Sequence, residues 1–110
     1  MDDALKAIAE PRRRAILRLV SGDELAAGEI AAQFDVSRPA ISQHLGVLRE
    51  AGLVEERRAG TRRLYRARPE GIAELRSFLD DLWAASLDVA RRLVEAERGL
   101  DDEDVDAAAG

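Results

Sequence analysis

The chain has no cysteine, which excludes disulfides, thiolate metal sites, iron–sulfur ligation and a cysteine nucleophile. A fold stapled for secretion is set aside, and a reducing cytoplasm is the expected location. A single histidine leaves no multi-histidine zinc spacing. Aromatic residues make up only 4% of the sequence, so Ala, Leu, Ile and Val must build the core, which favours helices. No apolar run approaches the roughly 18 to 20 residues of a membrane span, and the opening MDDALKAIAEPRRR has neither a basic leader nor an apolar core. A soluble, untargeted chain with no membrane partner is expected. Walker-type and dinucleotide glycine motifs are missing as well. At 110 residues and 12.0 kDa the chain is one small domain, which excludes a multidomain enzyme.

The net charge of −5 conceals an asymmetry. Residues 1–68 hold 13 basic against 10 acidic residues, whereas residues 69–110 hold 4 against 12. Within 36–68 the balance is 8 basic to 3 acidic, and every one of those cations is arginine. The planar guanidinium fork suits phosphate and base edges, so this segment can present a basic face to a polyanion. The plainer alternative is that arginine is simply this chain's usual cation.

Helical spacing predicts a short helix over Ala4–Ala9, entered through Asp2 or Asp3. A second helix restarts at Pro11, carries Ile16, Leu17, Leu19 and Val20, and ends at Ser21-Gly22. A loop through Asp23 and Glu24 leads to a third helix over Glu29–Phe34, and Asp35-Val36-Ser37 breaks it. Ser37 is a good N-cap and Pro39 is tolerable in a first turn, so a fourth helix follows with Ile41, Leu45 and Leu48 on one face, closed by Gly52. The period then changes. Leu53–Ala59 and Arg62–Arg68 read as two strands around Gly60-Thr61. Pro69-Glu70-Gly71 breaks the second strand, and the stripe Ile72, Leu75, Leu79, Leu82, Trp83, Leu87, Ala90, Leu93 and Val94 marks a long helix over 72–98. Such a helix spans about 40 Å, more than so small a domain is wide, so part of its stripe needs a partner outside its own fold. Residues 99–110 hold five acids and read as a disordered tail.

Helix, short turn, helix and basic hairpin are the layout of a winged helix-turn-helix: mainly α, about five helices and a two-stranded wing. At about 100° per residue, with Ile41, Leu45 and Leu48 buried, Pro39, Gln43, Gly46 and Glu50 point outward and Arg38, Ser42 and Arg49 occupy one flank. Gln43 is the best base reader, because its amide donates and accepts together at adenine, and Gly46 lets a backbone approach closely. Ser42 can bond a base or a phosphate; Arg38 can reach guanine or backbone. A solvated helix face is the plain alternative. On the wing, Arg62 and Arg63 beside the tip Gly60-Thr61 are the expected backbone contacts, with the other arginines free to pair with Glu55 and Glu56 across the strands. Arg12-Arg13-Arg14 open a helix, where positive charge opposes the macrodipole, so they need partners: acids of the long helix or tail, or phosphate.

His44 falls about 60° from the centre of the buried stripe and reads first as a partly buried structural imidazole, then as a DNA contact. Ser42 and His44 lie about 200° apart on one helix and cannot form a nucleophile–base pair. No catalytic residues, cofactor or metal site are expected.

The order A-E-P-R-R-R-A-I-L-R-L-V from Ala9, G-E-I-A-A-Q-F from Gly28, S-R-P-A-I-S-Q-H-L-G-V-L-R-E-A-G-L-V from Ser37 and R-R-A-G-T-R-R-L-Y-R from Arg57 resembles the ArsR-type winged helix-turn-helix regulators of bacteria. The resemblance covers about Leu5 to Trp83. It implies a homodimeric repressor of double-stranded DNA, with the Ser37–Ala51 helix reading sequence and with Arg38, Ser42, Gln43 and His44 matching the family's contact positions; the reading of the residues themselves adds Ser37 and Arg49 on that helix and Thr61, Arg62 and Arg63 on the wing. It also implies a dimer interface on the first and last helices: Leu5, Ile8, Leu75, Leu79, Leu82, Trp83 and Leu87. Many such regulators sense metals through cysteines near the reading motif; this chain has Glu24-Leu25-Ala26-Ala27-Gly28-Glu29 there. Others use histidines on the last helix, where this chain has none, and Asp80, Asp81 and Asp88 alone are hard oxygen ligands poorly suited to a soft metal. A non-metal effector or a partner protein remains open. The alternative function is a winged-helix interaction module whose long last helix binds another protein.

Overall fold

The computed structural model describes the backbone through Ala109 and the side chains of residues 1–99. Its elements run α1 (Asp2–Ala9), α2 (Pro11–Gly22), β1 (Leu25–Ala26), α3 (Ala27–Ala32), α4 (Arg38–Glu50), β2 (Val54–Ala59), β3 (Arg62–Ala67) and α5 (Pro69–Ala109). The chain divides into a compact unit over residues 1–76 and a second over residues 77–110.

The first corner follows from one proline. Pro11 drives Glu10 out of the helical region, to φ −91° and ψ 124°, which ends α1. Glu10 is then the N-cap of α2, its carboxylate accepting from the Arg13 amide at 2.8 Å. The three arginines that follow have partners unlike those expected. Arg13 donates to the carbonyls of Ala7 at 2.7 Å and Lys6 at 3.3 Å, and Arg14 to those of Ile8 at 2.8 Å and Ala9 at 3.2 Å. Cations that would be misplaced at the start of α2 therefore satisfy the electronegative end of α1. Arg12 stacks over the Phe34 ring, 5.5 Å from its centroid.

The core is aliphatic, as the composition requires: Ile16, Ile30, Ile41, Leu45, Leu48, Leu53 and Val54 are fully buried and come from α2, α3, α4, the residue before β2 and the first residue of β2. A strand too short to show any periodicity, β1, completes the sheet in the order β1-β3-β2, all antiparallel, with Leu25 opposite Tyr65 and Ala26 opposite Leu64. The expected hairpin is present, with Ala59 opposite Arg62 and Gly60-Thr61 as its two-residue loop. Gly60 takes φ +65° and Thr61 does not take a positive φ, the signs of a type II′ turn.

Helix α5 begins at Pro69, three residues ahead of the expected Ile72, because proline is permitted in a first turn. Gly71 is what lets that turn seat. A Cβ there would lie 1.8 Å from the Gly52 carbonyl oxygen, so the helix rests directly on the backbone that closes α4. Leu75, 8% exposed, joins the core of the same compact unit.

From Ser77 onward α5 forms the second unit. It presents Phe78, Leu79, Leu82, Trp83, Leu87, Val89, Leu93 and Val94 exposed, and Asp88 pairs along the helix with Arg91 at 2.7 Å and Arg92 at 3.5 Å. The helix does not end at the expected Arg98 but continues to Ala109, through a segment that holds Gly99 and no proline. The side chains beyond Gly99, and Gly110 itself, lie outside the described residues.

Candidate nucleic-acid interface

The α3–turn–α4 unit is built around the buried triad Ile41, Leu45 and Leu48, and its opposite face is open. Ser37 caps α4, its Oγ accepting from the Ala40 amide at 3.3 Å. Burial of the triad at i, i+4 and i+7 fixes the helix rotation, so Arg38, Pro39, Ser42, Gln43 and Glu50 emerge exposed. Gly46 is half-buried, yet a Cβ built on it would meet nothing within 4 Å, so its face is open to an approaching backbone.

Two concavities flank α4. The larger, of about 600 Å³, lies between the starts of α3 and α4 and the hairpin tip and brings together Arg38, Ser42, Thr61, Arg62 and Arg63. The other, about 440 Å³, is lined by Arg13, Gln43, His44, Gly46, Val47 and Glu50. Most of the expected contact residues are thus gathered on one side, while Ser37 and Arg49 line neither concavity. Arg49 is occupied by Glu56 at 2.8 Å. His44 is 23% exposed, with Nδ1 3.9 Å from the Glu10 carboxylate, the partial burial expected from its place on the helix.

Sequence reasoning missed several contributors. Glu29 reaches back to the Ala26 amide at 3.0 Å and, through the same Oε1, pairs with Arg62 across the groove. Its place three residues after the N-cap was the available signal. Arg57 donates to Glu24 at 2.7 Å, and Arg66 pairs with Glu55 at 2.6 Å and with Glu24 at 3.9 Å. The ladder expected between the wing arginines and Glu55 and Glu56 therefore forms, with Glu24 and Glu29 added to it. Among the described residues Arg38 and Arg58 are the arginines of this segment with no carboxylate partner.

Two groups have perturbed acidity. Burial pushes the Tyr65 hydroxyl above its ordinary 10.0, aided by the Glu56 charge and the hydrogen bond to it, so this phenol stays a neutral donor. For Glu10, desolvation raises the pKa, but the amides of Arg13 and Arg12 and the charges of His44 and Arg13 outweigh it and hold the carboxyl below its ordinary 4.5. Among the described residues no group of three or more His, Cys, Asp or Glu could hold a metal ion, and no helix is long and apolar enough to cross a membrane.

Residues 8–57 match the model of a helix-turn-helix domain family. The chain is 47% identical over 96 residues to the HTH-type transcriptional regulator Rv2034 of Mycobacterium tuberculosis, covering 87% of this chain and 90% of that protein. It is 43% identical to the transcriptional repressor SdpR of Bacillus subtilis over 54% of this chain and 67% of that one. In structure it resembles the homodimeric winged helix-turn-helix DNA-binding domain of Mb0332 from Mycobacterium bovis, a possible ArsR-family regulator, with a TM-score of 0.63 and 35% identity. That match covers 76% of this chain and 77% of the other.

Proposed function

The chain belongs to the ArsR-type family of winged helix-turn-helix transcriptional regulators, and on that footing we propose that it is a homodimeric, sequence-specific DNA-binding repressor. The observation that carries this reading is α4 itself: Ile41, Leu45 and Leu48 are buried while Arg38, Ser42 and Gln43 stand exposed and flanked by arginine. That face fits a major groove. Gln43 reads adenine N6 and N7, Ser42 and Arg38 contact base or phosphate, and the wing lies along the backbone. The repressor acts by occluding a promoter and needs no catalytic residue.

The exposed stripe Leu79, Leu82, Trp83 and Leu87 supports dimerisation, since contiguous apolar surface of this kind marks an interface. Leu5 and Ile8, half-buried against the core, can add to it. Leu75 does not belong with them, because it is already used inside its own subunit. A two-fold dimer reads an inverted repeat whose half-sites lie about one helical turn, ~10 bp, apart. The absence of cysteine and the single histidine favour an effector other than a soft metal, either a small molecule or a protein.

Sequencing duplexes selected by the purified protein, with and without divalent metal, tests this directly. An inverted repeat enriched equally under both conditions supports the proposal. Failure to enrich any sequence refutes specific DNA binding, enrichment that depends on metal refutes the non-metal reading, and a monomeric mass at micromolar concentration refutes the dimer.

A further inference from the structure

The hairpin's arginines divide by face. Strand alternation places Arg57, Arg62 and Arg66 on one side of the sheet with Glu55, and there every arginine has a carboxylate: Arg57 with Glu24, Arg62 with Glu29, Arg66 with Glu55. Three cations meet three anions, and that face is neutral. The other side carries Val54, Glu56, Arg58, Tyr65 and Arg63, and Arg49 reaches it from α4. Here three arginines face one carboxylate, Glu56, which pairs with Arg49 at 2.8 Å and more loosely with Arg63 at 3.6 Å. Arg58 has none, and it stands directly opposite Arg63. Like charges opposed across two strands repel at a Cβ separation of about 5 Å, and an anion lodged between them removes that penalty.

We infer that the wing grips DNA phosphate through the cross-strand pair Arg58 and Arg63, and that Arg62, held by Glu29, anchors the hairpin to α3 instead of touching DNA. The inference rests on the DNA-binding reading above and refines which residues perform it. Both residues lie one pair from the tip on the sheet face that Arg49 of α4 reaches, and their planar forks suit phosphate oxygens. Arg62 offers no net attraction there. The Glu29 oxygen that holds it also accepts the Ala26 amide, so moving Arg62 to a phosphate would leave an unbalanced carboxylate beside a polyanion.

The test is a salt series on the purified full-length chain with a labelled mixed-sequence duplex, read by fluorescence anisotropy. Arg58→Ala and Arg63→Ala should each weaken binding and each flatten the slope of log K against log salt by about 0.9, the loss of one phosphate contact. Arg58→Lys should keep the slope, whereas Arg57→Ala and Arg62→Ala should leave it unchanged. A wild-type slope in Arg58→Ala overturns the assignment, as does an equal loss in Arg57→Ala or Arg62→Ala. A wild-type chain without salt-dependent duplex binding sinks the DNA-binding reading itself, and this inference with it. These side chains are exposed, and an unchanged far-UV spectrum separates a lost contact from a lost fold.

Discussion

Replacing Gly71 with alanine tests how α5 is seated, and the structure sets both the sign and the size of the effect. An alanine Cβ would sit 1.8 Å from the Gly52 oxygen, 2.8 Å from the Gly52 carbonyl carbon and 3.4 Å from the Leu53 Cα. Carbon–oxygen approaches ordinarily stop near about 3.3 Å, so the overlap is about 1.5 Å and the opposing atoms are backbone. They cannot swing aside. Gly52 takes φ +76° and donates to the Arg49 carbonyl at 3.0 Å, while Leu53 donates to Leu48 at 3.0 Å and accepts from Arg68 at 2.8 Å. Relief must come from lifting the first turn of α5, which pulls Leu75 out of a site where it is 8% exposed. Helix propensity acts the other way and favours alanine by about 1 kcal/mol. Overpacking against backbone, at the upper end of its about 1–3 kcal/mol range because the opposing atoms cannot move, outweighs it, for a net loss of about 2 kcal/mol and a fall in Tm of roughly 4–8 °C per kcal/mol. Gly46→Ala, with nothing within 4 Å, is the matched control and should gain up to about 1 kcal/mol. Urea unfolding followed by far-UV circular dichroism compares the pair. If Gly71→Ala unfolds at or above the wild-type midpoint, α5 does not rest on Gly52 as described.

Three further outcomes are expected. Gln43→Ala should relax base preference at one operator position by about 1–3 kcal/mol while leaving affinity for unrelated duplexes intact, as measured by competition with single-base variants. Trp83→Glu and Leu82→Glu, which place charge in an apolar stripe exposed by 67% and 54%, should turn the proposed dimer into a monomer in analytical ultracentrifugation without changing the helical spectrum. Acid should weaken the α1–α2 corner: the folded Glu10 carboxyl titrates below 4.5, so the unfolded chain binds the proton first and stability falls as the pH drops below that value. Glu10→Gln should show a shallower acid dependence of its urea midpoint, and identical dependence in the two proteins would refute the assignment.

Helix α4 was legible because its signals are local. Ser37 as cap, Pro39 in the first turn and the spacing of Ile41, Leu45 and Leu48 all lie within a dozen residues, and periodicity alone orients Gln43 outward. Gly60-Thr61 announced the hairpin for the same reason. What escaped was set by distant neighbours. Leu25–Ala26 is too short to carry a period and is a strand only because β3 pairs with it. Pro69-Glu70-Gly71 is a break by composition but a helix start in the fold, because Gly52 lies beneath Gly71. Leu75 falls on the same stripe as Leu79 and Leu82, so sequence could not tell that it turns inward while they remain exposed. The partners of Arg13, Arg14 and Arg62 were hidden likewise, since carbonyl ends and a glutamate 33 residues away leave no pattern in sequence.

The scarcity of aromatics gives the molecule a built-in optical division. Its only indole, Trp83, is solvent-exposed and belongs to the unit over residues 77–110, whereas the unit over residues 1–76, which carries α4, contains no tryptophan. Indole emission therefore reports on a ring that lies outside the buried aliphatic core, and responds to whatever covers Trp83. A blue shift on raising protein concentration would report association through this ring alone, leaving cohesion of the aliphatic core to a backbone signal.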